Sequence, residues 1–344
     1  MEERKLRVAI YGAGAMGTIL GAYIAASGKQ IDLITSNKAH VEAMKQHGAR
    51  VLGHADFTVH VNAYTPDEMT GVYDIIFLMT KQRENPKILA TLKDFLASDG
   101  VICTMQNGLP EPSVINAVGQ RRCLGCAVSW GAKSVGFGEV ELSSKREKMT
   151  FALGSMRGQN KWIEPVKEYL ECAGKVTVEE NFFGARWAKL VMNCAFSPLS
   201  ALTGMTFGKV AKWKYTKILA LALMNEAFDV AEKCGVEIAP IQGHDIVAIF
   251  KCKGGIKASV AKRLLPVAMH SHKDLVSGMY ADLKAGKKTE VEYINGIIQK
   301  LGKKFDVATP VNDAVIELIG EIEGGKTEIS PDNAKQLYKK VIKK

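Results

Sequence analysis

The sequence predicts an α/β domain over residues 1–180 followed by an all-helical domain over residues 181–344. Three observations carry that division. A short apolar run opens directly into a glycine-rich turn and a helix-compatible segment. Strand-like and helix-like stretches then alternate as far as Glu179, the pattern of a parallel sheet with crossover helices. Beyond Asn181 every periodic segment has helical spacing. At 344 residues there is room for two cores, and 47% hydrophobic with 24% charged residues supplies them.

The first element is Leu6–Tyr11 (LRVAIY), short and β-branched as a buried strand requires. Gly12-Ala13-Gly14-Ala15-Met16-Gly17 follows at once, then a helix to Ala26. This is G-x-G-x-x-G between strand and helix, the context of a Rossmann dinucleotide-binding start. Gly12 permits the tight turn, Gly14 lets the backbone approach a pyrophosphate, and Gly17 allows close helix–strand packing. The amides around Ala15 and Met16 then face the phosphates at a positive helix end. Val8–Gly28 carries no charge, long enough in principle for a bilayer span, but its five glycines favour the folded start.

The second strand, Gln30–Thr35, ends in Ser36-Asn37-Lys38. An NAD site places an acid at this strand end for the ribose hydroxyls. Ser36 stands there instead, Lys38 can meet a 2′-phosphate, and Asp32 comes too early; NADP is favoured, although no Arg is present. A helix His40–Gly48 precedes an irregular region to Met69. Asp74–Thr80 is the next strand, with Lys81 just past its carboxyl end, where open α/β sheets bind ligands. A solvated lysine is the competing reading. Helix Lys87–Ser98 leads to strand Gly100–Met105, which ends in Gln106-Asn107-Gly108; Asn107 either makes a turn or points its amide at the nicotinamide. Arg122–Trp130 and Gly136–Leu153 read as strands with a hairpin-like connection, Lys161–Ala173 as a helix and Gly174–Glu179 as a strand.

The helical domain opens with Gly184–Gly204, apolar on most sides, as a core helix is. Lys189, Asn193 and Ser197 recur at steps of four and share a face, with Arg186 one turn earlier. Pro198 removes a donor, so a kink or break is expected there. Two readings compete: a polar seam between helices, or a cation and amides aimed at a ligand. Further helices are expected at Thr216–Cys234, His244–Phe250, Ser259–Pro266, Glu292–Phe305 and Thr309–Glu323, with a basic tail from Gly324 ending in a short helix.

The net charge of +10 gathers in Lys251–Lys262, Lys284–Lys288, Lys300–Lys304 and Lys335–Lys344. With 7% aromatics and no nucleic-acid motif, it reads as solvated helix faces and an anion-friendly cleft, with no nucleic-acid or membrane partner. Seven scattered Cys argue against a disulfide framework and for a cytoplasmic protein. Cys123 and Cys126 read as buried thiols, and the pair His270/His272 lacks a carboxylate at ligand spacing, so no metal is expected.

The runs GAGAMG, LMTKQ, QNG, RWAKLVMNCAFSPLSAL and TEVEYINGII, in this order across nearly the whole chain, resemble the ketopantoate reductase (2-dehydropantoate 2-reductase) family. The resemblance implies a Rossmann domain, a helical domain and an active site in the cleft. It implies Lys189 as proton donor to the substrate carbonyl, Glu290 as its acidic partner and Asn193 as a substrate-binding amide. It implies Asn107 and Lys81 at the cofactor, which is NADPH, and a small 2-oxo acid as substrate. Two positions depart from the pattern. Ser197 stands where relatives carry a second Asn, and Gly278, beside Ser277, where they carry a Ser; Ser197 and Ser277 are then the remaining polar groups for the substrate. A reductase of another 2-oxo acid and a non-catalytic NADP-binding redox sensor remain as alternatives, and a homodimer stays open.

Overall fold

The computed structural model describes residues 5–252 and 254–343; Lys253 and Lys344, both in basic clusters, lie outside the described residues. The chain forms two compact units. One comprises the chain to Gln106 with Pro110–Phe182; the other comprises Asn107–Leu109 with the chain from Phe183 onward.

In chain order the first unit contains β1 (Val8–Tyr11), α1 (Ala15–Ala26), β2 (Asp32–Ile34), α2 (Lys38–His47), β3 (Ala49–Gly53), β4 (Phe57–Val59) and β5 (Asn62–Tyr64). Then come β6 (Tyr73–Leu78), α3 (Asn85–Leu92), β7 (Leu96–Thr104), α4 (Glu111–Val118), β8 (Cys123–Val128), β9 (Ala132–Ser134), β10 (Glu139–Leu142), β11 (Thr150–Gly154), α5 (Ile163–Leu170) and β12 (Lys175–Val178). The main sheet runs β12-β11-β8-β7-β6-β1-β2-β5. All neighbours are parallel except β8 and β11. Strand alternation feeds two cores. Val8, Ile10, Ile75 and Phe77 pack with α1 and α5 residues such as Ile19, Leu20 and Val166. Ala9, Tyr11, Ile76 and Leu78 pack with Leu89 and Val114 of α3 and α4. The uncharged Val8–Gly28 stretch is thus β1, a turn and a 12-residue helix. Among the described residues no helix is long and apolar enough to cross a membrane.

The region expected to be irregular up to Met69 is a correction. It holds β3, β4 and β5. β3 and β4 join β9 and β10 in a second sheet of order β4-β3-β10-β9, in which β3 and β10 are parallel. The Gly136–Leu153 stretch divides accordingly: β9 and β10 form the hairpin of the small sheet, and β11 crosses to the main one. Strands of three to five residues have little periodicity of their own; pairing across some 90 positions of chain creates them.

The second unit contains α6 (Phe182–Thr203), α7 (Phe207–Lys212), α8 (Lys214–Lys233), α9 (Ile246–Phe250), α10 (Gly255–Ala268), α11 (Gly278–Lys284), α12 (Val291–Phe305), α13 (Pro310–Glu323) and α14 (Pro331–Val341). One core joins Leu190, Val191, Cys194 and Leu199 of α6 to Leu219 and Leu223 of α8, Ile294 and Ile298 of α12, and Val315 of α13. The tail helix α14 closes it with Ala334 and Leu337. α7 and α11, six and seven residues long, were not among the helices expected from the sequence. The expected break at Pro198 does not occur: α6 is continuous over 22 residues with Pro198 inside.

Candidate active site

The parallel order places the reversal point of the sheet between β1 and β6, where ligands of open α/β sheets bind at the strands' carboxyl ends. The glycine loop leaves β1 there. The amides of Gly12 and Ala13 both donate to the Ile34 carbonyl at 2.9 Å, pinning the turn to the end of β2. Gly12 has φ +108°, and a Cβ on it would lie 2.7 Å from the Met79–Thr80 backbone. On Gly17 a Cβ would lie 2.5 Å from the Gly12 carbonyl oxygen. Those two glycines serve the protein's own packing. Gly14 differs, since a Cβ there would meet nothing within 4 Å. It is the N-cap of α1 and brings no capping side chain, nor is there an acid in the first turn. The amides of Ala15, Met16 and Gly17 therefore have no carboxylate competing with an anionic ligand at the positive helix end.

The loop is braced from behind by two residues that sequence reasoning missed. The Gly138 amide donates to His40 Nδ1 at 2.9 Å. An amide can only donate, so Nε2 carries the imidazole hydrogen and gives it to Thr18 Oγ1, 3.0 Å away. Thr18 Oγ1 in turn donates to the Ala13 carbonyl at 3.3 Å. Burial pushes the His40 pKa down, which keeps this neutral arrangement. No local signal marks His40, because its partner Gly138 is 98 residues away.

At the end of β2, Ser36 and Lys38 are exposed, and Asn37 caps α2 by accepting the His40 amide at 3.2 Å. Asp32 accepts from Tyr73 Oη at 2.9 Å and Asn62 Nδ2 at 3.2 Å, so its carboxylate is held within the sheet's own contacts. Past β6, Lys81 is half-buried at the start of a single helical turn, Gln82–Glu84. Buried Gln106 ties the loops after β6 and β7 together. Its Nε2 donates to the Thr80 carbonyl at 2.9 Å and to Asn85 Oδ1 at 2.7 Å, and its Oε1 accepts from Thr104 Oγ1 at 3.1 Å. Asn107, next in the chain, is half-buried.

In the second unit, α6 buries Trp187, Ala188, Leu190, Val191, Cys194, Ala195 and Phe196. Ala185, Lys189, Asn193 and Ser197, four residues apart, remain half-open. The polar face expected from spacing is therefore a real one. Arg186, expected beside it, is wholly buried instead. Glu290 is 8% exposed at the N-cap of α12. The turn before it is anchored by Glu323, whose Oε1 accepts from both the amide and the hydroxyl of Thr289 at 2.7 Å; nothing local pointed to Glu323. Ser277 is buried and structural in its acceptor role: Oγ accepts the Tyr280 amide at 3.1 Å as the N-cap of α11. A Cβ on Gly278 would meet nothing within 4 Å.

Two family models match, "Ketopantoate reductase PanE/ApbA" over residues 8–156 and "Ketopantoate reductase PanE/ApbA C terminal" over residues 181–323. A 2-dehydropantoate 2-reductase of Archaeoglobus fulgidus is 30% identical over 326 residues, 94% of this chain and 99% of that protein. Among solved structures, a PanE/ApbA family ketopantoate reductase from Ralstonia eutropha JMP134 superposes with TM-score 0.79 at 24% identity, covering 94% of this chain and all of the other. A D-mandelate dehydrogenase with NADH and anilino(oxo)acetate gives TM-score 0.79 at 22% identity, covering 93% and 99%. These two structures share the fold, a Rossmann-like α/β domain followed by a helical one. By its sequence over nearly its whole length, the chain belongs to the ketopantoate reductase family.

Proposed function

We propose that the chain is an NADPH-dependent reductase of ketopantoate, producing pantoate for pantothenate and coenzyme A synthesis. The observation that carries this reading is the half-open Lys189–Asn193–Ser197 face on a helix whose other sides are mostly buried in a core. The Gly14 cradle, open where a Cβ would stand and free of first-turn acids, suits a dinucleotide pyrophosphate. When bound, NADPH supplies the hydride to the keto carbon. Lys189 gives its ammonium proton to the carbonyl oxygen as negative charge develops there, a contact stronger in the transition state than in the ground state. Asn193 and Ser197 hold the substrate from the same face, and Glu290 orients its hydroxyl side. Lys38 and Ser36 favour the 2′-phosphate, while Lys81 and Asn107 hold the cofactor. The test is NADPH oxidation against a panel of 2-oxo acids that includes ketopantoate. Turnover of ketopantoate supports the reading; stoichiometric NADPH binding without turnover of any member would replace it with a redox sensor.

One observation favours a second substrate. Ser197 is shorter than the Asn that the family resemblance implies there, and the space beside Gly278 is open. The bulkier 2-oxo compound in the name of the D-mandelate dehydrogenase complex is the kind of ligand such a site would admit. Removing groups that read a hydroxyl relaxes discrimination without stopping hydride transfer. Ser197→Asn with Gly278→Ser should then sharpen the preference for ketopantoate over 2-oxo acids lacking the hydroxyl. A wild type that already discriminates by about 10⁴-fold excludes the relaxed site.

A further inference from the structure

Pro198 lies inside α6, yet the helix runs on. In an α-helix the amide of residue 198 would donate to the carbonyl of Cys194, and proline has no hydrogen to give. The pyrrolidine ring also crowds that carbonyl and tilts it off the helix axis. A buried carbonyl left in this state is costly. The structure supplies the donor from elsewhere. Asn295 Nδ2, on α12 and wholly buried, donates to the Cys194 carbonyl at 2.9 Å. The amide is held by further bonds. Nδ2 also donates to Asn312 Oδ1 at 2.8 Å, and Asn312 Nδ2 donates to Glu226 Oε2 at 2.7 Å. Glu226 accepts the Val311 and Asn312 amides at 2.8 and 2.9 Å, which ties the start of α13 into the same network.

The location matters for chemistry. Cys194 is buried in the core, but its carbonyl belongs to the turn of α6 that carries Asn193 and Ser197. Asn295 lies on the first turns of the helix that Glu290 caps. One side-chain amide thus ties the turn of α6 that carries Asn193 and Ser197 to the helix that Glu290 caps.

We propose that Asn295 is a positioning residue of the reductase, its amide standing in for the backbone N–H that Pro198 lacks. This rests on the reductase reading above. Asn295→Leu should lower kcat/KM for the 2-oxo acid on the order of tenfold to 10²-fold, the cost of misplacing groups that hold a reacting substrate. NADPH affinity should stay within about twofold, since the Asn295 amide bonds to Cys194 and Asn312 and to none of the proposed cofactor groups. The decisive arm is rescue. Pro198→Ala restores a backbone N–H to the Cys194 carbonyl, so in that background Asn295→Leu should cost about threefold or less. Loss of the Asn312 contact is common to both backgrounds and cancels in the cycle. Asn295→Ser, a smaller perturbation, repeats the cycle if the leucine variant does not fold. Equal losses in both backgrounds, or coupling confined to thermal stability with kcat/KM unaffected, overturn the positioning role. A wild type inactive on every 2-oxo acid overturns the reductase reading and this role together, whereas absent coupling in an active enzyme overturns this role alone.

Discussion

The glycine loop after β1 and the polar face of α6 both arise from short runs of sequence, yet they are held by opposite means. In the loop, Gly12 and Gly17 let backbone touch backbone, and at Gly14 a Cβ would meet no protein atom within 4 Å. The constraint is steric and nearly all local. In α6 the three polar residues share a face by helical period alone, but the carbonyl that Pro198 leaves without its helical donor is met by a residue 101 positions away. A ligand cradle can be written in six consecutive residues. A polar face on a helix packed into a core needs the rest of its domain.

That contrast can be broken or sharpened by substitution. The largest effect is expected at the helix. Lys189→Ala should reduce kcat by about 10²–10⁴-fold, the usual worth of general acid catalysis, with NADPH affinity nearly unchanged in a binding titration. Near-wild-type turnover would remove the catalytic meaning of the α6 face.

Next comes the loop, where neighbouring glycines should respond differently. Gly14→Val should abolish measurable NADPH binding while leaving thermal stability intact, because a Cβ at this position meets no protein atom within 4 Å. Gly17→Ala should instead destabilise the fold by about 1–3 kcal/mol, through overpacking against the Gly12 carbonyl. Calorimetry and cofactor titration on the pair decide it. A Gly14→Val protein that binds NADPH normally would make the loop purely structural.

A smaller effect is expected at the exposed end of β2. Lys38→Ala should narrow the preference for NADPH over NADH by about 1–3 kcal/mol, the value of a hydrogen bond to a charged group. Equal affinity of the wild type for both cofactors would remove the 2′-phosphate role from Lys38.

The smallest is a pH effect behind the loop. His40 is kept neutral by burial, with its pKa lowered from 6.5. Below the ordinary value the unfolded chain takes up a proton that the folded chain resists. The stability from neutral His40 is therefore present above pH ~6.5 and is lost as pH falls towards the folded pKa. His40→Gln should flatten the decline in melting temperature across that window. An unchanged slope would mean that other groups set the acid response.

The sequence alone determined the main sheet's central strands, the glycine loop, the long helices of the second unit and the four-residue spacing of Lys189, Asn193 and Ser197. Each depends on contacts within a few residues: alternation in a strand, period in a helix, or a missing Cβ in a turn. Tertiary structure alone decided the rest. The small sheet exists because β3 finds β10 far along the chain, and three-residue strands have too little burial to declare themselves. His40 becomes a brace only when Gly138 reaches it, and Thr289 sets Glu290 only because Glu323 returns from the far end of α13. Pro198 shows the difference most directly. Proline chemistry forecasts a kink or break; the helix runs on without a break, and a hydrogen-bond donor missing from the chain locally is replaced by a side chain that only the fold brings near.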